Sequence, residues 1–169
     1  MLNLATIDGV AFFIDPNGGE ADRYKMMYCA QPPREQRIPL LEKHLSTEPG
    51  LQNNLPTARV HCMYAAASPD GINWNPIKEP LMLHQSDTDT TVYFDRKLKK
   101  YVMYTRLMVH GRRWIGRAEA DDFLHWGVVR PIIPPPLSRS FSDDVYLNAY
   151  TIYPGMPQYH LMFPMIYHR

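Results

Sequence analysis

A pair of strand-like segments joined by a short turn occurs three times along this chain, and this repeat constrains the fold more than any other feature. The copies cover residues 10–16 with 24–28, 91–95 with 101–104, and 150–154 with 159–163. In every copy the second segment carries a methionine followed by an aromatic residue. Runs of β-branched and aromatic residues bounded by Gly, Pro and Asp are typical of antiparallel hairpins. The sequence therefore predicts three hairpins of similar design.

A second pattern follows two of these hairpins. Residues 68–74 (SPDGINW) match residues 120–126 (ADDFLHW), with Asp70 and Asp122 each four residues before a tryptophan. Each match comes after a further apolar segment, residues 60–67 or 114–118. The unit is then four antiparallel strands with an aspartate-containing turn before the last, and a repeated four-stranded unit of this kind is typical of a β-propeller blade.

The spacing of the copies sets the expected domain limits. Asp95 and Pro154 are 59 residues apart, whereas Asp15 and Asp95 are 80 apart, and the excess lies in residues 31–57. That stretch is rich in proline and charge and is interpreted as an inserted loop with a short helix at residues 39–44. We predict one all-β domain over residues 1–169: blade 1 at about 5–85, blade 2 at about 86–140 and the start of blade 3 at about 141–169.

About two and a half blades cannot close a ring, because closed propellers have at least about four. We therefore expect the chain to be a fragment of a longer protein, or several copies to complete the ring together. An open stack exposes sheet edges, so we also expect self-association.

The composition narrows the classes of partner. The 18 Lys and Arg residues nearly balance 17 Asp and Glu residues, which argues against binding to nucleic acid or to an anionic membrane. The basic clusters at residues 96–100 and at Arg112 and Arg113 are predicted at solvated turns. No signal peptide or transmembrane segment is recognisable, so the compartment stays open. Cys29 and Cys62 are expected to be buried thiols, with a disulfide as the alternative.

Polar residues precede the first strand of each unit, where a propeller brings strand starts together at one channel mouth. They are Asp8, then Asp87 and Asp89, then Asp143, Asp144 and Asn148. Asp89 and Asn148 are equivalent by repeat alignment, each six residues before the turn residue. Converging carboxylates suit glycoside hydrolysis, because one must donate a proton while another stays ionised. No cofactor or metal is expected, and His84 with Asp87 and Asp89 is the alternative cation site.

Two segments carry a family resemblance. Residues 89–95 with 101–104 resemble the acidic inner-strand motif of the five-bladed glycosidases, namely the β-fructosidases of glycoside hydrolase family 32 and the arabinanases and xylosidases of family 43. Residues 115–126 resemble the strand and turn that these enzymes repeat. The resemblance implies an incomplete five-bladed propeller whose parent hydrolyses a furanoside or related glycan, with a carbohydrate as its ligand.

The same resemblance implies site residues. In these families an aspartate of the first blade is nucleophile or base, one of the second stabilises the transition state, and a glutamate of the third is the acid. Asp89 matches the second role and Asp8 the first, and Asp144 completes the catalytic candidates; Asn148 stands where the glutamate is expected. Candidates for substrate binding are Asn148, Asp87, Arg106, Arg117 and Glu119.

Other interpretations remain open. Asp70 and Asp122 are expected to cap their turns, and Arg117 and Glu119, with Arg106 on the preceding strand, to take part in a cross-strand ion pair. The missing glutamate favours a non-catalytic propeller that binds glycan or protein. Residues 68–74 also resemble the aspartate box of sialidases, which leaves a sialidase-like or glycoside-phosphorylase-like propeller as a further alternative.

Overall fold

A computed structural model describes residues 7–47, 60–136 and 143–168. The described chain is mostly β, with antiparallel sheets and one helix, as the all-β prediction requires. No sheet closes on itself within these ranges, and the blade interpretation stays a prediction. No helix in the described parts of the chain is long and apolar enough to cross a membrane.

The first sheet follows the order β1-β2-β3-β4, and β5 also pairs with β3. Its strands are β1 (Asp8–Ile14), β2 (Tyr24–Ala30), β3 (Cys62–Ser68), β4 (Asn75–Pro76) and β5 (Met82–Leu83). At the first turn the Asp15 amide donates to the Arg23 carbonyl at 2.8 Å, and the Asp15 side chain accepts from the Asn17 amide at 3.0 Å. The predicted hairpin is therefore present, with the aspartate at its turn.

The second sheet has the order β6-β7-β8-β9. Its strands are β6 (Thr91–Asp95), β7 (Lys100–Val109), β8 (Arg112–Ala120) and β9 (Arg130–Ile133). Asp95 accepts hydrogen bonds from the amides of Lys97 and Leu98, both at 2.9 Å, which closes the basic turn as the repeat predicts.

The third predicted hairpin is present as β11 (Tyr150–Ile152) paired with β12 (His160–Met162). Outside it, β10 (Asp144–Leu147) pairs with β13 (Met165–Tyr167) in a second short ladder. The register of this second ladder shifts between Val145 and Leu147, and Ala149, which lies between β10 and β11, has a positive φ of 41°. The irregular backbone turns Asn148 inward, a position that becomes important below.

The two aspartate turns have the same geometry. Asp70 accepts from the backbone amides two and three residues ahead at 2.8 and 2.7 Å, and Asp122 does so at 2.8 and 3.0 Å. Trp74 and Trp126 each donate the indole Nε1–H to the carbonyl three residues back. The capping prediction is confirmed, and the last strand of each unit begins after the tryptophan: β4 starts one residue after Trp74 and β9 four residues after Trp126.

The core lies between the first and second sheets. Side chains of the first sheet (Ala11, Met27, Cys29, Met63, Ala65) pack on those of the second (Val92, Met103, Leu107, Ala118). Cys29 and Cys62 are buried and free, so the disulfide alternative is wrong. Burial raises their thiol pKa values to about 11 and about 12, so both stay protonated near neutral pH.

The inserted segment contains a longer helix than predicted. Helix α1 (Arg34–Thr47) begins five residues before Pro39, which lies inside it rather than at its start. Proline is favoured in a first turn, so the sequence interpretation placed the helix start there. Good helix formers at Arg34, Glu35 and Gln36 extend the helix backwards although Pro39 contributes no amide hydrogen bond. The second half of the predicted loop falls within residues 48–59, which lie outside the described ranges.

Candidate functional site

The starts of the three hairpins lie side by side. A Cβ added to Gly9 would meet the carbonyl oxygens of Ser86 and Thr88 at 2.6 Å, and Gly9 has a φ of 59°, so this position requires glycine. On the other side, the Asn148 side-chain amide donates to the Asp89 carbonyl oxygen at 3.1 Å. Residues 8–9, 86–89 and 148 therefore form one strand-start surface.

Three predicted carboxylates on this surface are exposed. Asp8 opens β1 opposite Cys29 in the β1–β2 ladder, and Asp87 and Asp89 precede β6. The Asp87 side chain is 51% exposed and forms an ion pair with Arg106. Exposed carboxylates beside a buried guanidinium can accept hydrogen bonds from sugar hydroxyls or act on a substrate proton.

Arg106, the partner of Asp87, is 7% exposed. Its guanidinium carbon lies 5.8 Å from the Tyr146 ring centroid, and burial together with the nearby Arg113 lowers the Arg106 pKa. Its carbonyl oxygen accepts from His84 Nε2 at 2.9 Å, and burial lowers the His84 pKa to about 4. The His84 ring is therefore neutral near pH 7 and helps to position the Arg106 backbone.

Asp144 is buried, and its carboxylate is held by a residue of β8. It is 1% exposed and accepts from Arg113 twice, from the backbone amide at 2.9 Å and from Nη1 at 2.7 Å. Arg112 donates to the Asp143 carbonyl oxygen, and His168 Nδ1 lies 2.8 Å from the Asp143 carboxylate. The prediction that Arg112 and Arg113 occupy a solvated turn is wrong, because both lie in β8, are half-buried and bind Asp143 and Asp144.

The Asn148 side chain also forms hydrogen bonds within the protein. It is 1% exposed, and its Oδ1 accepts from the Thr91 hydroxyl at 3.1 Å and from the Tyr150 amide at 3.0 Å. With its amide on Asp89, this side chain ties the third hairpin to the start of β6. Asp89 and Asn148, which the repeat alignment places at equivalent positions, are thus direct neighbours.

Arg117 and Glu119 lie along β8 rather than at the strand starts, and they form an ion pair. Lys100 approaches Glu119 at 4.0 Å, and the Arg117 guanidinium carbon is 5.9 Å from the Tyr104 ring centroid. An ion pair is therefore present as expected, but it joins two residues of one strand instead of two neighbouring strands. Their place as substrate-binding residues stays a prediction.

Two residues of this region were not identified from the sequence as part of the site. Arg113 was assigned to solvent, and Tyr146 carried no motif, yet the Tyr146 ring lies within 5.8 Å of the guanidinium carbons of both Arg106 and Arg113. No sequence pattern marks either residue, because Asp144 and Val145 are both buried and the register shifts before Leu147.

The alternative cation site receives no support from the geometry. His84 Nε2 is bonded to the Arg106 carbonyl oxygen, and Asp87 is paired with Arg106. No group of three or more His, Cys, Asp or Glu side chains within the described ranges is arranged to hold a metal ion.

Comparison with known proteins shows a similarity of fold alone. No family model and no curated protein matches the chain. Among solved structures, it is similar to an N-acetylgalactosamine deacetylase from F. plautii determined in complex with blood group B trisaccharide, with a TM-score of 0.54 and 15% identity. The match covers 88% of this chain and 37% of that chain, so this chain spans little more than a third of the enzyme's length.

Proposed function

We propose that this chain is part of a carbohydrate-active β-propeller of the five-bladed glycosidase type, which engages a furanoside or related glycan at its strand-start surface. The observation that carries the proposal is that the strand starts lie side by side, with Asp8, Asp87 and Asp89 exposed and Asp87 paired with Arg106. The similar fold of an enzyme that acts on N-acetylgalactosamine supports a glycan as the ligand class.

Within this proposal Asp89 and Asp8 are the candidate reactive carboxylates. Hydrolysis needs one acid that donates a proton and one that stays ionised. Asp87 and Arg106 would bind hydroxyl groups of the sugar, as a charged pair that offers both acceptors and donors. Asp144 and Asn148 would act by positioning, since their polar atoms bind Arg113, Thr91 and the backbone.

A second candidate function is glycan binding without catalysis. The buried, ion-paired state of Asp144 favours it, because Asp144 is the third catalytic candidate and its carboxylate is already held by Arg113. The remaining exposed acids would then serve as hydrogen-bond acceptors for a bound sugar.

The test uses the 169-residue chain with fructo- and arabino-oligosaccharides and the blood group B trisaccharide. Binding is followed by calorimetry, and turnover by release of reducing sugar and of acetate. Asp89→Asn is compared with Asp121→Asn, whose side chain is 85% exposed in the turn after β8. We expect Asp89→Asn to lower turnover by at least about a hundredfold, the scale of a lost acid–base group, and Asp121→Asn to leave it unchanged.

Each outcome separates the candidates. Reducing-sugar release that Asp89→Asn abolishes supports hydrolysis, whereas binding without turnover supports the second function. Turnover that Asp89→Asn leaves unchanged would remove Asp89 from the chemistry. Acetate release without reducing sugar would replace glycoside hydrolysis by deacetylation.

A further inference from the structure

A cleft with a volume of ≈ 600 Å³ lies between helix α1 and the two sheets. Its walls come from α1, from residues 80–85 around β5, from the end of β7 and from residues 126–130 that lead into β9. Sites for small molecules commonly have volumes of about 300–1,000 Å³, so the cleft has room for one.

The aromatic wall of the cleft is Trp126, whose ring is held in place by its own turn. Its Nε1–H donates to the Phe123 carbonyl oxygen at 2.8 Å, and the Phe123 ring meets it edge-on with the two centroids 6.4 Å apart. Because its only donor is used, the indole offers the cleft an apolar ring and no polar group. A fixed aromatic ring suits the C–H face of a sugar, which is apolar although the rim of the same sugar carries hydroxyl groups.

His84 supplies a hydrogen-bond acceptor at the cleft, although it is only 9% exposed. A carbonyl oxygen can only accept, so Nε2, which lies 2.9 Å from the Arg106 carbonyl oxygen, carries the ring hydrogen. Burial lowers the His84 pKa to about 4, so the ring is neutral near pH 7 and Nδ1 keeps a lone pair. Among the described residues nothing hydrogen-bonds Nδ1, and this atom is not closed off from solvent.

Gln85, the next residue, brings both a donor and an acceptor. It is half-buried and lines the cleft, and its side-chain amide has no hydrogen-bond partner within the described ranges. A primary amide matches hydroxyl groups, which also donate and accept. The lining thus combines unused polar groups with an apolar ring, a combination that fits an uncharged polyhydroxyl ligand.

The cleft is joined to the strand-start surface through Arg106. The Arg106 carbonyl oxygen binds the cleft residue His84, and the guanidinium of the same residue pairs with Asp87. Asp87 follows His84 by three residues, and three residues of chain span at most about 11 Å. A short oligosaccharide spans such a distance, so one ligand can reach both places.

We propose that this cleft is a second glycan subsite, and that the ligand is therefore an oligosaccharide rather than a single sugar. One sugar residue lies at the strand-start surface, and a neighbouring one stacks on Trp126 and bonds to His84 Nδ1 and Gln85. The inference rests on the proposed function and narrows its ligand. Helix α1, which forms one wall of the cleft, lies in the segment that makes the first repeat longer than the second, so this insertion gains a role in recognition.

The test measures binding by calorimetry with arabinose, arabinobiose and arabinotriose, and with fructose and its di- and trisaccharides. We expect one trisaccharide per chain, bound at least about tenfold more tightly than the monosaccharide. Gln85→Leu and Trp126→Leu in the cleft, and Asp87→Asn at the strand-start surface, should each lower the affinity for that trisaccharide by about tenfold, because each removes contacts to the same ligand.

Matched controls separate the cleft from general effects on folding. Gln158→Leu makes the same change as Gln85→Leu in the exposed turn of the third hairpin. Trp74→Leu removes the equivalent tryptophan of the other aspartate turn, which bonds the Gly71 carbonyl oxygen in the same way and does not line the cleft. Both should leave the trisaccharide affinity unchanged. If Trp126→Leu fails to fold, Gln85→Leu decides the case.

The outcomes distinguish this inference from the proposed function. If no sugar of either series binds, the proposed function and the second subsite both fail. Trisaccharide binding that Asp87→Asn weakens and Gln85→Leu leaves unchanged overturns the second subsite alone. Two trisaccharides per chain, or an equal loss of affinity in Gln158→Leu or Trp74→Leu, would also overturn it, because the ligand would then not be shared or the effect would not arise in the cleft.

Discussion

At the scale of single residues, the Asp15 carboxylate links the two sheets. It is 4% exposed, and the Tyr101 hydroxyl donates to its two oxygens at 3.0 and 2.9 Å. Lys25 lies 3.7 Å away, and the Asn17 side-chain amide donates to the Tyr101 hydroxyl at 3.2 Å. The sequence identified Asp15 as a turn residue, which is correct but incomplete, because its main partner is 86 positions away.

Replacing Tyr101 by Phe should therefore destabilise the protein. The change leaves a buried charged acceptor without its closest donor, and we expect the free energy of unfolding to fall by about 2 kcal/mol. Urea unfolding followed by tryptophan fluorescence measures it. Tyr153→Phe, at a residue that is 48% exposed, is the control, and equal stability of the two variants would contradict this role.

The buried His84 predicts a pH dependence of stability. Its pKa is lowered from 6.5 to about 4 in the folded chain, chiefly by burial, so protonation favours the unfolded state. The stability linked to His84 is fully present above about pH 6.5 and is lost as the pH falls toward 4, a change on the order of 3 kcal/mol.

His84→Gln keeps an N–H donor for the Arg106 carbonyl oxygen but removes the titration. Its unfolding free energy should fall less than that of the natural chain between pH 6.5 and 4. His110→Gln, in an exposed turn, should behave like the natural chain. Parallel pH profiles for His84→Gln and the natural chain would show that another group carries the effect.

At the scale of secondary structure, the elements with local hydrogen bonding followed the sequence closely. The strand predicted at residues 91–95 is β6, and both aspartate turns have the expected caps. Helix α1 departed from the prediction because packing of Leu40 and its neighbours against β5 stabilises a helix that proline alone would shorten.

Pro39 should limit the stability of α1. Pro39→Ala restores a backbone donor inside the helix, so amide hydrogen exchange of residues 40–44 should slow by about tenfold or more. Pro33→Ala changes a residue before the helix and serves as the matched control. If exchange is equal in both variants, packing rather than helix propensity sets the local stability.

At the scale of the whole molecule, one side of the edge strand β1 has no cover among the described residues. Its other side packs on the second sheet, but Val10, Phe12 and Ile14 alternate along β1 and are 42%, 73% and 58% exposed. Exposed apolar strands at a sheet edge favour association, which agrees with the expectation that the chain contacts further sheets or further copies of itself.

Phe12→Lys should weaken that association. Sedimentation velocity of the natural chain over a range of concentrations should show oligomers, and the variant should need about tenfold higher concentration to form them, because a charge on the contact side opposes burial. Ile38→Lys changes a residue of α1 that is 67% exposed and should leave the oligomers intact. A natural chain that stays monomeric throughout would refute the expectation.

The hairpins and the aspartate turns could be derived from the sequence by itself, because each depends on alternation or on hydrogen bonds that reach two or three residues. Only the tertiary structure decided which acids remain exposed. Asp144 meets Arg113 and Asn148 meets Asp89 where the backbone is irregular between β10 and β11, and Tyr101 reaches Asp15 across the core. Such partnerships depend on strand register and on sheet packing, and no short stretch of sequence encodes either.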